Sequence, residues 1–318
     1  MKSRYRNMKS TLFVLLLMWA GFSTCTSQSL LPAGSGIFHF STHPALRGDS
    51  IRVFYHRPVG KVAEFPVLFV MHGVNRNADT YRDNWVELSE KYKILVIVPE
   101  FTKERFPGSR MYNYGNLWSK DGKLNAEQDW TYSLIDPIFE EVVRLSVSKA
   151  KQYDLFGHSA GAQFAHRFFL FKRDTKVSRV VAANAGSYTM LDTGVDFPFG
   201  VNGMEMDEDR LKSLLARDLI VQLGEEDTDP KHRNLNVTPE AMKQGAYRFE
   251  RGMNFYESAK ECADRLGVSF GWTLRTVAGV AHDNAGMALD IAGYLYSGNK
   301  SGSTGENRSS KTNQFFKE

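Results

Sequence analysis

The amino-acid sequence predicts an α/β fold, with a mostly parallel eight-stranded sheet, helices on both faces and no large cap domain. Three observations predict it. Strand-like apolar runs alternate with helix-length segments from about residue 35 to residue 296, the rhythm that builds parallel sheets. Residues 66–73 form a near-continuous apolar run ending in glycine, as in a strand covered on both faces. The chain has 318 residues, 42% hydrophobic and 24% charged, which suits one large domain and excludes global disorder.

In chain order, strands are expected at 36–42, 51–58 and 66–73, and a helix at 83–92. A strand at 93–100 leads into a long loop and then a helix at 130–148, in which Pro137 predicts a break or kink. A strand at 152–157 precedes a helix at 160–171, and a strand follows at 178–185. After a short excursion over 187–211, too short for a helical cap, come a strand at 218–224 and a helix at 247–266. A strand at 269–278 and a helix at 282–296 close the domain. The catalytic domain is thus placed at 28–296, and the Gly/Ser/Asn/Lys-rich stretch 297–318 reads as a disordered polar tail. No internal repeat is found.

The first 27 residues read as a secretory signal peptide. Lys2, Arg4, Arg6 and Lys9 precede an apolar run over 11–22, with small polar residues after it. That run suits an exported leader and is short for a membrane-spanning helix. The chain is therefore expected to be secreted or periplasmic, with no membrane span after cleavage. Lipid attachment at Cys25 is the less favoured alternative, because Phe22-Ser23-Thr24 is a poor acylation signal. Cys262 is the second of two cysteines, so no internal disulfide is expected in the mature chain. The formal net charge is +4, and the four leader cations account for it. No basic patch is left for nucleic acid. No cluster has metal-ligand spacing, and no cofactor is expected.

Gly157-His158-Ser159-Ala160-Gly161 matches G-x-S-x-G between a strand and a helix. The turn is tight enough to strain the serine and to exclude side chains on both flanks, which is why glycines stand there. It lifts the hydroxyl of Ser159 off the sheet and points the N–H of Ala160 at a developing oxyanion. A serine hydroxyl needs a base. In this strand–turn–helix setting the order along the chain is serine, acid, histidine. His166 lies on the helix directly behind Ser159, and beyond it only His232 and His282 follow. His232 comes too soon after the preceding strand, whereas His282 starts the last helix at the carboxyl end of the sheet, where sites form. The acid belongs after strand 218–224, in Glu225-Glu226-Asp227-Thr228-Asp229. Asp227 has the favoured spacing, with Glu226 and Asp229 as alternatives.

His72-Gly73 after the third strand predicts a second oxyanion donor at Val74. His72 itself is read as a structural hydrogen-bonder. Tyr112, Tyr114 and Trp118 in the long loop, and Tyr188 after the sixth strand, are candidate substrate-binding aromatics; packing of the loop is the equal alternative.

These stretches, with His72-Gly73-Val74-Asn75-Arg76-Asn77-Ala78, Leu223 to Asp227 and Gly279 to His282, resemble the α/β-hydrolase superfamily. Within it they resemble secreted poly(3-hydroxybutyrate) depolymerase-like and feruloyl-esterase-like esterases. The resemblance covers nearly all of residues 35–296 and implies hydrolysis of a small-molecule or polymeric ester through an acyl-enzyme. A peptidase or amidase on the same three residues, or a binding protein that has lost the chemistry, are the competing expectations. The motifs leave the oligomeric state open.

Overall fold

The computed structural model describes residues 31–298. The expected leader, Cys25 and the tail beyond residue 298 lie outside them.

Eight strands form one sheet in the order β1-β2-β4-β3-β5-β6-β7-β8. They are β1 (Gly34–Phe40), β2 (Ile51–Arg57), β3 (Val67–Met71), β4 (Leu95–Pro99), β5 (Tyr153–His158), β6 (Val177–Ala183), β7 (Leu219–Gly224) and β8 (Thr273–Val277). β2 pairs antiparallel with both β1 and β4, and the remaining pairs are parallel. The sheet is therefore mixed, with β2 as the reversed strand.

The helices are α1 (Ala78–Asp83), α2 (Val86–Tyr92), α3 (Gly108–Met111), α4 (Ile135–Ser146), α5 (Ala160–Phe171), α6 (Glu208–Ala216), α7 (Pro239–Met242), α8 (Arg248–Leu266) and α9 (Asn284–Tyr296). α1, α2 and α9 cover one face of the sheet, and α4, α5, α6 and α8 the other.

Central strands explain the unbroken apolar runs. Along β3, Val67, Phe69 and Met71 face one core, while Leu68 and Val70 face the other. Leu95 and Ile97 of β4 alternate with Val96 and Val98 in the same way. Both faces exclude water, so period-two alternation of polarity disappears.

Several boundaries differ from the expected ones. The helix expected at 83–92 is α2, which starts at Val86, and a further short helix, α1, precedes it across Asn84 and Trp85. Trp85 is fully buried and packs edge-on against Phe156, which turns the chain between them. Pro137 does not kink α4. It sits in the first turn, where no intrahelical donor is required. α6 was hidden in the excursion after β6. Asp207 caps it by accepting from the Arg210 N–H at 2.8 Å, a start signal offset by a polar sequence.

Candidate active site

The carboxyl ends of the four successive parallel strands β5, β6, β7 and β8 lie along one edge of the sheet, so the loops that follow them converge. β5 leads directly into α5 through Ser159, whose backbone sits at φ 59°, ψ −116°. Such a conformation costs roughly 1–3 kcal/mol in a non-glycine residue. The Ser159 N–H is tied to the Ala183 carbonyl at 3.0 Å. A Cβ at position 157 would stand 2.0 Å from the Gly161 carbonyl oxygen, and one at 161 would stand 1.9 Å from that of Met71. Both glycines are therefore required by backbone contact.

β7 ends at Gly224 and turns back at once, with the Asp227 N–H donating to the Gly224 carbonyl at 3.0 Å. This turn buries Asp227 to 3% exposure. Glu225, Glu226 and Asp229 are exposed. Of this acidic group, Asp227 reaches the histidine: its Oδ2 lies 2.7 Å from His282 Nδ1. On the other side of the ring, His282 Nε2 lies 3.0 Å from Ser159 Oγ. Asp229 instead accepts the Lys231 N–H at the loop surface. Asn184, fully buried at the end of β6, joins the two loops. Its amide nitrogen donates to Ala281 O at 3.1 Å, and its oxygen accepts from Gly224 N at 2.7 Å.

Two further side chains contact Asp227 and His282. Arg248, 1% exposed, donates to Asp227 Oδ1 at 3.3 Å and to His232 Nδ1 at 3.1 Å. Arginine at the first residue of a helix opposes the helix dipole, and that misplaced cation is the sequence signal that marks it. The ring of His158, the variable residue of the elbow motif, lies 4.6 Å from that of His282. Its Nδ1 is 3.0 Å from Tyr81 Oη. Burial, aided by His282 and Arg248, holds the His158 imidazole well below its ordinary protonation range.

The Val74 N–H, beside Ser159, and the Ala160 N–H, at the start of α5, make no hydrogen bond within the described residues. Gly73 is close enough to Ser159 that a Cβ there would be 3.8 Å from Ser159 Cβ. His72 is fully buried. Its Nδ1–H donates to Gly73 O at 3.2 Å, and its Nε2 accepts the Phe101 N–H at 3.0 Å. Burial pushes its pKa down to about 3, so it holds the turn as a neutral ring.

The four expected substrate-binding aromatics do not line the cleft at Ser159. Tyr112 is fully buried, stacks on His72 at 4.8 Å and donates to His72 O at 2.7 Å. Tyr188 is fully buried and stacked on Phe255 at 4.5 Å. Tyr114 and Trp118 line a separate depression with Phe197 and Pro198. Loop packing, driven by aromatic burial, accounts for the first pair. The cleft of about 280 Å³ beside Ser159 and His282 is walled instead by polar groups, among them Asn75, Asn77, His232, Arg233 and Asn284.

Among the described residues no three His, Cys, Asp or Glu side chains are grouped to hold a metal ion, and no helix is long and apolar enough to cross a membrane. Cys262 is buried and free.

No family model matches the sequence. The fold does match solved structures along their full length. A poly(aspartic acid) hydrolase from Sphingomonas sp. KT-1 is 37% identical, with a TM-score of 0.80, over 84% of this chain and 100% of that one. The chain belongs to the α/β-hydrolase family. A second α/β-hydrolase relative, a poly(3-hydroxybutyrate) depolymerase from Bordetella parapertussis, is 32% identical with a TM-score of 0.78, over 84% of this chain and 91% of that one. A curated relative, poly(3-hydroxyalkanoate) depolymerase C of Paucimonas lemoignei, is 25% identical over 158 residues. That match spans 49% of this α/β-hydrolase and 36% of the relative's length.

Proposed function

We propose that the protein is an exported serine hydrolase that cleaves carboxylic esters through an acyl-enzyme. The observation that carries this reading is the unbroken hydrogen-bond chain Asp227–His282–Ser159, with Ser159 held on a strained elbow. Strain of that kind persists in a fold where the position has a use.

In the proposed reaction Ser159 Oγ attacks the ester carbonyl carbon while His282 Nε2 takes its proton. Asp227 holds Nδ1–H toward itself, so that Nε2 carries the lone pair, and its charge stabilises the imidazolium that forms. The backbone N–H groups of Ala160 and Val74 receive the oxyanion. His282 returns the proton to the leaving alkoxide, the alcohol departs, and Ser159 is left acylated. Water, deprotonated by His282, then attacks the acyl carbon and releases the acid and the serine. The depolymerase relatives support an ester substrate of small or polymeric kind.

Purified mature protein should react with a fluorophosphonate probe, and Ser159→Ala should not. A folded wild type that stays unlabelled would leave a binding protein on a hydrolase fold. Amide hydrolysis is the second reading, favoured by the 37% identity to a poly(aspartic acid) hydrolase and by the exposed Arg233 guanidinium on the cleft wall. Comparing kcat/KM on poly(aspartic acid) with that on hydroxyacid oligoesters separates the two. Export is supported by the leader-like segment 1–27; N-terminal sequencing of protein recovered outside the cytoplasm tests it.

A further inference from the structure

The turn that carries the proposed oxyanion donor at Val74 is held from two sides. The Gly73–Val74 peptide is planar, so the Gly73 carbonyl and the Val74 N–H point from opposite edges of one rigid unit. The carbonyl is fixed by His72 Nδ1–H at 3.2 Å and by the Arg76 N–H at 3.1 Å. Holding that oxygen sets the direction of the Val74 N–H.

The other side is held by Tyr81, in the middle of α1. A Cβ at position 73 would stand 2.6 Å from Tyr81 Oη, so the phenol oxygen rests directly against the Gly73 backbone. The same oxygen lies 3.0 Å from His158 Nδ1. Both residues are buried. Burial raises the Tyr81 pKa above its ordinary value, and the Gly73 backbone opposes the shift, as a backbone donor does. Tyr81 is therefore a neutral hydroxyl between a donor at Gly73 and an acceptor at His158, and its proton goes to His158 Nδ1. The His158 ring in turn lies 4.6 Å from that of His282. One hydroxyl thus touches both the turn before Val74 and the ring packed on His282.

We propose that Tyr81 is a positioning residue for the transition state, its hydroxyl pinning the Gly73–Val74 peptide to the His158 ring so that the Val74 N–H and His282 keep one mutual geometry. This inference rests on the serine-hydrolase reading above. The effect belongs to the transition state because an oxyanion hole is aimed at the charged tetrahedral oxygen rather than at the ground-state carbonyl. A turn free to tilt would weaken the contact with the oxyanion and leave substrate binding almost unchanged.

Tyr81→Phe tests this, because it removes one oxygen and keeps the ring in the core. Hydrolysis of phenyl acetate is followed, with kcat expressed per site labelled by a fluorophosphonate at the end point. The variant should lose roughly ten- to hundredfold in kcat, less than the 10²–10³ lost when an oxyanion donor is deleted outright. KM should stay within about twofold of wild type, as for an interaction made in the transition state alone. Affinity for a trifluoromethyl ketone, whose serine adduct carries the oxyanion, should fall by the same factor as kcat. His158→Leu, which removes the acceptor, should behave like Tyr81→Phe, whereas His158→Asn keeps an acceptor near the Nδ1 position and should recover most of the rate. Combining Tyr81→Phe with His158→Leu should cost little more than either alone, since both break one bond. A merely structural tyrosine would lower the melting temperature and leave kcat per labelled site unchanged, and that result overturns the proposal. Fully additive losses in the double variant overturn it as well, because the hydroxyl would then not act through His158. Wild-type labelling separates the two failures: a labelled protein with an unaffected Tyr81→Phe variant loses only the role of Tyr81, and an unlabelled wild type loses the serine reading with it.

Discussion

Arg248 and Asp227 form an ion pair at 3.3 Å, with their side chains 1% and 2% exposed. One carboxylate oxygen goes to the arginine and the other to His282. The arginine thus occupies the oxygen that His282 leaves free, and the carboxylate cannot rotate away from the ring without breaking the pair. Burial lowers the Arg248 pKa from its ordinary value, but the cation remains charged at neutral pH.

Removing this cation should hurt both stability and turnover. Arg248→Met leaves a buried carboxylate without its partner, which costs roughly 3–5 kcal/mol. The urea midpoint should fall accordingly, and kcat should drop because the acid no longer has one orientation. Arg248→Lys keeps the charge but not the two-pronged contact, and should recover part of the stability and little of the rate. Wild-type stability and kcat in Arg248→Met would contradict this account.

Ser159 shows the opposite balance between function and stability. Its φ of 59° with ψ of −116° suits glycine far better than any L side chain. Ser159→Gly should be inactive, by at least about 10⁴-fold in kcat on the precedent of serine triads. It should also be about 1 kcal/mol more stable than Ser159→Ala, which keeps the strain. Thermal melts of the two variants decide this. Equal midpoints would mean that the elbow is not strained in solution.

The flanking glycines give a steric prediction of the other sign. A methyl at 161 would stand 1.9 Å from the Met71 carbonyl oxygen and one at 157 would stand 2.0 Å from that of Gly161. Neither neighbour is a side chain that can swing away. Gly161→Ala and Gly157→Ala should each lose several kcal/mol, on the order of the large overpacking penalties, and yield little folded protein. Near-normal expression and melting of Gly161→Ala would show that β3 can shift to make room.

Much of this was legible in the sequence, and what was not has identifiable causes. The order Ser159, Asp227, His282 follows from short motifs at strand ends, and a strand end is local information. The choice of Asp227 over Asp229 needed the turn that carries one inward and leaves the other at the surface. Arg248, His158 and Asn184 approach the site from α8, β5 and β6, and no spacing rule links them to Asp227 or His282. For Tyr112 and Tyr188 the sequence left pocket and packing as equal readings, because an aromatic in a loop is equally suited to either. Burial decides between them, and burial is a property of the whole fold. β2 reverses direction because the chain enters at the sheet edge, where no crossover helix is required.

Buried neutral histidines should also set the response of stability to acid. His72 is fully buried, and burial lowers its pKa to about 3. His158 and His166 are displaced the same way, again mainly by burial. In the unfolded chain each titrates near 6.5, so below that pH the unfolded state binds protons that the folded state refuses. The stability these rings contribute is complete above about pH 6.5 and is lost as pH falls from there toward the folded values. His72 alone should cost about 2 kcal/mol between pH 7 and pH 5. Urea unfolding at the two pH values, alongside NMR titration of the imidazole signals, measures both halves of the argument. The three rings should show no titration between pH 5 and 8 in the folded protein while the unfolding free energy declines. A His72 signal that titrates near 6.5 would mean that the turn supporting Gly73 and Val74 opens to solvent.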